Sequence, residues 1–229
     1  MELNGEGLDA RHGQTVEHTV QRLRDAIFAG RLVPGQRLIA GDLTAEIGIS
    51  RGTVREAFRR LEADGLLEII PNRGAVVRRL SRDQVRELFQ IRENLESLAA
   101  RLAAAHIGTG TNRDYFTGVW NTVRPTGEML KTHLFMEHNR LFHRSIVKIS
   151  GNTMLSDLIE TLHLPVVMFQ VGQVMQPENM ESSHQDHVRV AQAILDGDAD
   201  RAEQEMRLHL KRSGEWVLRL PSFAFKGDR

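Results

Sequence analysis

The sequence predicts a mainly α chain in two parts, three helices closed by a small β-hairpin and then an all-helical bundle. Three observations carry that prediction. Extended and hairpin signals are confined to residues 31–39 and 66–80. Apolar residues recur at helical spacing before, between and after those stretches. The 229 residues are 41% hydrophobic, enough for a core, yet no apolar run approaches membrane-spanning length. The composition break after Leu80 places one domain at 12–80 and a second at 81–222.

In the first part, Val16, Val20, Leu23 and Ile27 mark a helix from Thr15 to Ala29, closed by Gly30. The turn signal Pro34-Gly35 then leads into a short extended segment. "AGDLTAEIGIS" (40–50) reads as a second short helix with Leu43 and Ile47 inward and Gly48 at its end. Ser50 is an N-cap for a third helix running to about Asp64, with Gly65 beyond it. "LLEIIPNRGAVVRRL" (66–80) holds two aliphatic runs around Pro71-Asn72-Arg73-Gly74, a hairpin signal. Helices in this order with a terminal hairpin make a winged helix-turn-helix.

In the second part, Ser81 and Gln84 form a capping box for a helix reaching about His106. Helical patterns follow at about 113–124, 127–149, 153–173, 178–196 and 199–219. Pro165 interrupts the pattern of 153–173. Gly197-Asp198 makes a sharp joint, Gly as one helix's C-terminal cap and Asp as the next helix's N-cap. The result is a bundle of six or seven helices.

Composition narrows function by exclusion. No cysteine is present, which removes disulfides and thiolate ligands and is compatible with the cytoplasm. The first residues lack the charged and apolar segments of a signal peptide, and no membrane association is expected. Net charge is zero, so any nucleic-acid footprint must be local. No nucleophile with a neighbouring base, glycine-rich phosphate loop or two-metal carboxylate set is present, so no enzyme is expected.

The local footprint is "ISRGTVREAFRRLEADGLL" (49–67). Residues 1–80 contain twelve Arg and no Lys, and arginine suits bidentate contacts with guanine and phosphate. Arg51, Arg55 and Arg59 lie nearly in line on the third helix, beside the apolar face of Val54, Phe58 and Leu61. A recognition helix presents its N-terminal residues to the major groove of double-stranded DNA. Ser50, Thr53 and the helix N-terminus suit phosphate, and Arg73 at the hairpin tip would reach the next groove or backbone. A solvated arginine-rich surface is the alternative.

"LRDAIFAGRLVPGQRL" (23–38), the 49–67 stretch and "RGAVV" (73–77) resemble the DNA-binding domain of the GntR transcriptional regulators. The resemblance implies Arg51, Thr53 and Arg55 as groove or phosphate contacts and Gly74 as the wing-tip contact. Gly41 departs from relatives, which often carry Arg or Glu there.

Three histidines share apolar stripes on three different helices: His143 with Phe135, Asn139 and Ile146; His187 with Val190, Ala191 and Ile194; His209 with Ala202 and Met206. Spacing alone leaves two readings open, separately bonded core histidines or convergence on one divalent cation. A metal-dependent hydrolase is the enzyme alternative, since three histidines with an open position can activate water. Glu137 is the nearest candidate base for such chemistry.

"EHNRLFHRSIVKISGN" (137–152), "DHVRVAQAILDGDADRAEQEMRLHL" (186–210) and "LFQIRENLESLAARLAAA" (88–105) resemble the FCD effector-binding domain of the FadR subfamily. That resemblance implies Asn139, His143, His187 and His209 as metal ligands, with His184 as a substitute, a more distant support or a solvent-exposed residue. Imidazole donors favour zinc first, then nickel, manganese or iron. It also implies a homodimeric repressor whose affinity for its operator responds to a small organic acid. Four neutral ligands would leave the ion's charge uncompensated, so a carboxylate would complete its sphere and Arg92 would hold the other end. The alternative for Arg92 is an i,i+4 surface salt bridge to Glu96. Leu88, Ile91, Leu95 and Leu98 are the expected dimer face.

Overall fold

The computed structural model describes residues 6–28, 31–124, 132–162 and 175–227. Among these, residues up to Arg79 form one compact unit and those from Leu80 form a second.

The first unit is built on α1 (Glu6–Phe28), α2 (Ala40–Ile47) and α3 (Arg51–Ala63). Residues 6–14 show no apolar periodicity, so the helix begins nine residues ahead of the start expected at Thr15. Val16, Val20, Leu23 and Ile27 are buried as their spacing requires, against Val54, Phe58 and Leu61 of α3. The expected stop at Gly30 lies outside the described residues. Gly48 closes α2 in the left-handed conformation. Ser50 caps α3, its hydroxyl accepting from the Thr53 amide at 3.1 Å.

The hairpin forms as β2 (Leu67–Ile70) and β3 (Gly74–Val77). The extended segment after Pro34-Gly35 contributes a further strand, β1 (Arg37–Leu38), antiparallel to β3, so the sheet order is β1-β3-β2. Glycine is required where these strands meet. Gly74 has φ of +92°, and a Cβ there would stand 2.2 Å from the Leu38 carbonyl oxygen. Asn72, at φ 59°, turns the wing tip, and the Arg73 amide donates to the Ile70 carbonyl at 2.9 Å.

The second unit comprises α4 (Arg82–Ala105), α5 (Asn112–Val123), α6 (Thr132–Ile149), α7 (Thr153–Thr161), α8 (Pro177–Asp196) and α9 (Ala199–Leu218). Ser81 and Gln84 form the reciprocal capping box, with bonds of 3.0 and 3.2 Å. The start of the pattern at 127–149 and the Pro165 interruption lie outside the described residues. Asp198 caps α9 by accepting from the Arg201 amide, directly after the left-handed Gly197. Alanines 99, 100, 103 and 104 pack with Ile146, Ile194 and Met206 in the bundle core. α4 and α9 approach closely because α9 carries Gly214, where a Cβ would sit 3.0 Å from the Phe89 ring. The close approach brings the buried faces of α4 and α9, which carry Glu96 and His209, toward each other.

Candidate nucleic-acid interface and metal centre

On α3 the structure separates the arginines by partner. Arg59 pairs with Glu56 at 3.1 Å, and Arg60 pairs with Glu17 of α1 at 3.1 Å. Arg51 and Arg55 are exposed and have no carboxylate partner among the described residues. They stand one turn apart at the N-terminal end, where the macrodipole also favours anions.

Thr53 does not join that surface. It is 2% exposed, with its hydroxyl 2.9 Å from Ser50 Oγ. Its place in the first turn suggested exposure, but the same register turns it toward the core. Ser50 remains at the surface with its oxygen engaged in the cap. Arg73 is exposed at the wing tip, and its carbonyl accepts from Arg37 Nε at 2.8 Å. Gly74 has a steric reason of its own, the approach to Leu38.

In the second unit His143, His187 and His209 converge from α6, α8 and α9. One ring nitrogen of each lies within 4.8 Å of the other two, and all three are buried. The ring centroids are 5.3 Å apart for His143–His187, 5.3 Å for His143–His209 and 4.7 Å for His187–His209. Asn139 is buried on α6, one turn before His143.

Two carboxylates stand behind the cluster. His143 Nδ1 bonds Glu96 Oε2 at 2.5 Å, and His209 Nδ1 contacts Asp186 Oδ2 at 3.4 Å. Carboxylates so placed fix the tautomer and leave Nε2 to act as a ligand. His143 Nε2 and His187 Nε2 are indeed buried without a hydrogen-bonding partner among the described residues. Unpaired buried imidazole nitrogens are costly, and a divalent cation would satisfy them together. The donor set therefore fits a borderline transition metal.

The electrostatics of His187 and His209 favour the neutral ring. Burial pushes His209 down to about 4, outweighing its bond to Asp186, and the His143 charge pushes the same way. Burial, then the charges of His209 and His143, holds His187 well below the ordinary imidazole value. Burial pushes the Glu96 carboxyl upward, but Arg92 and His143 together overcome it and hold it below the usual carboxylate range.

Two expectations are corrected here. Arg92 is 4% exposed, and its Nε donates to Glu96 Oε1 at 2.7 Å, so it is neither an open clamp nor a surface pair. Its guanidinium lies 4.9 Å from the Phe89 ring centroid. The cluster is also not surrounded by neutral groups alone. Glu96 and Asp186 stand behind two of the rings, each already balanced by arginine: Arg92 for Glu96, and Arg212 (2.6 and 2.9 Å) with Arg189 for Asp186.

Glu96 and Asp186 went unassigned from the sequence. The signal for Glu96 was legible. Residues 89, 92, 96, 99 and 103 share one helical stripe, so Arg92 and Glu96 interrupt an otherwise apolar face. Asp186 offered only its place beside His187. His184 is 7% exposed, which removes the solvent-exposed option for it, and it stands outside the three-histidine group.

Comparison with known proteins agrees with both halves. Residues 15–77 match the model of the bacterial regulatory proteins of the gntR family, and residues 87–212 match the FCD domain. The chain is 28% identical to the HTH-type transcriptional regulator BphR of Paraburkholderia xenovorans, over 86% of this chain and 83% of that protein. It is 29% identical to the HTH-type transcriptional repressor RspR of Escherichia coli, over 89% of this chain and 90% of that one. In fold it is similar to E. coli McbR/YncC, with a TM-score of 0.71 at 21% identity, covering 89% of this chain and 96% of that one. No helix among the described residues is long and apolar enough to cross a membrane. With the FCD match alone spanning more than half of its length, the chain belongs to the GntR family of transcriptional regulators, which are not enzymes, in the architecture that joins a winged helix-turn-helix to an FCD domain.

Proposed function

We propose that the chain is a cytoplasmic, homodimeric repressor that binds a double-stranded DNA operator through residues 12–80 and senses a small organic acid through residues 81–222. The observation that carries the DNA half is the pair Arg51 and Arg55, exposed one turn apart on α3 without a carboxylate partner. Cations so placed at the N-terminus of a recognition helix are available to guanine edges and phosphates. Ser50, Arg59 and Arg73 border that surface, and Gly74 shapes the wing. The name of the relative RspR supports repression as the direction of control.

In the second domain, His143, His187 and His209, with Asn139, would hold a divalent metal, zinc before nickel, manganese or iron. The metal would supply a Lewis-acidic position for a carboxylate oxygen of the effector. Glu96 and Asp186 would orient the ligand rings. Ile91 and Leu98 of α4 are 46% and 40% exposed, and their large apolar side chains support that helix as the dimer face, whereas Leu88, expected beside them, is buried and Leu95 packs against the bundle core. Two recognition helices related by a two-fold axis would read two half-sites.

The DNA half is tested by selecting an operator from a randomised duplex pool and titrating it with wild type and Arg55→Ala. The variant should fold normally and bind ~1–3 kcal/mol more weakly. Equal affinity in folded protein refutes the assignment.

A further inference from the structure

The residues after α9 return to the start of α4. Ser222–Ala224 make a short 3₁₀ turn, and Phe225 behind it is 1% exposed. The Arg82 guanidinium lies 4.2 Å from the Phe225 ring centroid. The same guanidinium donates to the Leu218 carbonyl and, at 2.8 Å, to the Leu220 carbonyl. The Lys226 amide donates to the Leu80 carbonyl at 3.0 Å. All of these residues belong to the second unit, of which Leu80 is the first.

Arg82 opens α4, where the helix macrodipole disfavours a cation. Its guanidinium instead meets carbonyls at the end of α9, the end of a helix at which a cation is stabilising. The peptide between Leu80 and Ser81 is held from both sides. Its amide donates to Gln84 Oε1 at 3.0 Å, and its carbonyl accepts from Lys226. A peptide is planar, so these two bonds fix one rigid group. Within the first unit, the Arg78 amide donates to the Leu66 carbonyl at 2.9 Å. Between these anchors lie the dihedrals of residues 78–80, about six soft rotations. The joint is short, and the segment after α9 holds its far end.

We infer that residues 220–226 act as a strap on the joint leading out of the DNA-binding domain, with Phe225 and Arg82 as positioning residues that make the protein selective for the spacing of its two half-sites. This rests on the proposed dimeric reading of an operator and adds the device that sets its geometry. Both residues act through the chain they hold. Each base pair inserted between half-sites shifts one of them by ~3.4 Å and turns it by ~35°. A dimer with held joints cannot follow both changes and loses the contribution of its second recognition helix. With loosened joints it follows them, although the effective concentration on the cognate spacing falls.

The test titrates the full chain against the selected operator, the same duplex with two base pairs inserted between its half-sites, and a duplex carrying one half-site. Wild type should lose ~10-fold or more in affinity on the insertion, whereas Phe225→Ala and Lys226→Pro should lose ~3-fold or less. Lys226→Pro removes the amide donor, and Phe225 before it already has the extended conformation (φ −115°, ψ 153°) favoured ahead of proline. It also keeps the buried ring, so the test does not depend on the folding of Phe225→Ala. Lys226→Ala keeps the amide and should match wild type. Affinity for the single half-site should be unchanged throughout, and thermal melts with light scattering establish that each variant is folded and dimeric. Folded, dimeric variants that keep the wild-type loss, or that lose affinity equally for all three duplexes, overturn the strap and leave the two-half-site reading intact. Wild type that binds both operators equally overturns the two-half-site reading and the strap with it.

Discussion

Replacing Glu96 with Gln separates stability from metal affinity at this site. The carboxylate accepts from Arg92 Nε at 2.7 Å and from His143 Nδ1 at 2.5 Å, with both partners buried. Glutamine preserves the shape and one acceptor oxygen but removes the charge. Arg92 is then a buried cation without a counter-ion, and breaking a buried pair in this way costs about 3–5 kcal/mol. The amide nitrogen must face either Arg92, where two donors collide, or His143 Nδ1. In the second case Nδ1 becomes the acceptor, the proton moves to Nε2, and the nitrogen a metal would use is blocked. Loss of such a supporting carboxylate typically lowers metal affinity ~10–100-fold. Urea unfolding of the metal-free protein measures the first effect, and competition with a chromophoric chelator for zinc measures the second. The double variant Arg92→Met, Glu96→Gln removes the stranded cation, so it should regain stability without regaining affinity. Unchanged zinc affinity in folded Glu96→Gln would refute the bracing role.

Three further outcomes follow from the same geometry. Gly74→Ala puts a Cβ 2.2 Å from the Leu38 carbonyl at a φ of +92°; the combined overpacking and backbone strain should cost roughly 2–5 kcal/mol in thermal unfolding of the first unit, and an unshifted melt contradicts the close approach of β1 and β3. For pH, the folded state binds fewer protons than the unfolded chain between the ordinary imidazole value of 6.5 and the value of about 4 held by His209. Stability of the metal-free protein is therefore fully present above pH 6.5 and is lost as pH falls toward 4, by on the order of 3 kcal/mol from His209 alone. Urea midpoints that do not fall between pH 7.5 and 5 contradict the burial of a neutral His209. Light scattering should return twice the 25.9 kDa chain mass, and Ile91→Glu with Leu98→Glu should shift the protein toward monomer; a monomeric wild type at micromolar concentration contradicts the dimer.

Much of the fold was legible because its determinants are local. The stripes Val16–Val20–Leu23–Ile27 and Val54–Phe58–Leu61 are buried as spacing requires. Ser50, Ser81 and Asp198 each cap the helix they precede. The extended segment after Pro34-Gly35 was legible as β1, but its pairing with β3 was not, since two residues carry no periodicity that names a partner. Convergence of His143, His187 and His209 is a tertiary fact, and helical stripes alone could not separate it from three unrelated core histidines. Thr53 shows the limit at single residues, where a shift of one position around α3 exchanges groove for core. Glu96 was misread because an i,i+4 pair with Arg92 looks the same in sequence whether it faces solvent or lies under the bundle.

The central claim is that occupancy at the histidine site controls operator binding, and titration of a selected operator tests it most directly. Affinity is measured for metal-free protein, zinc-loaded protein, and zinc-loaded protein with 4-hydroxybutyrate or succinate. A coupling of ~1–3 kcal/mol predicts that operator affinity falls ~5- to 150-fold in the presence of the bound acid. The His187→Ala, His209→Ala double variant should bind the operator as metal-free wild type does and show no response to zinc or acid. An operator affinity that is the same in every wild-type state, or a response that persists in the double variant, would contradict the account.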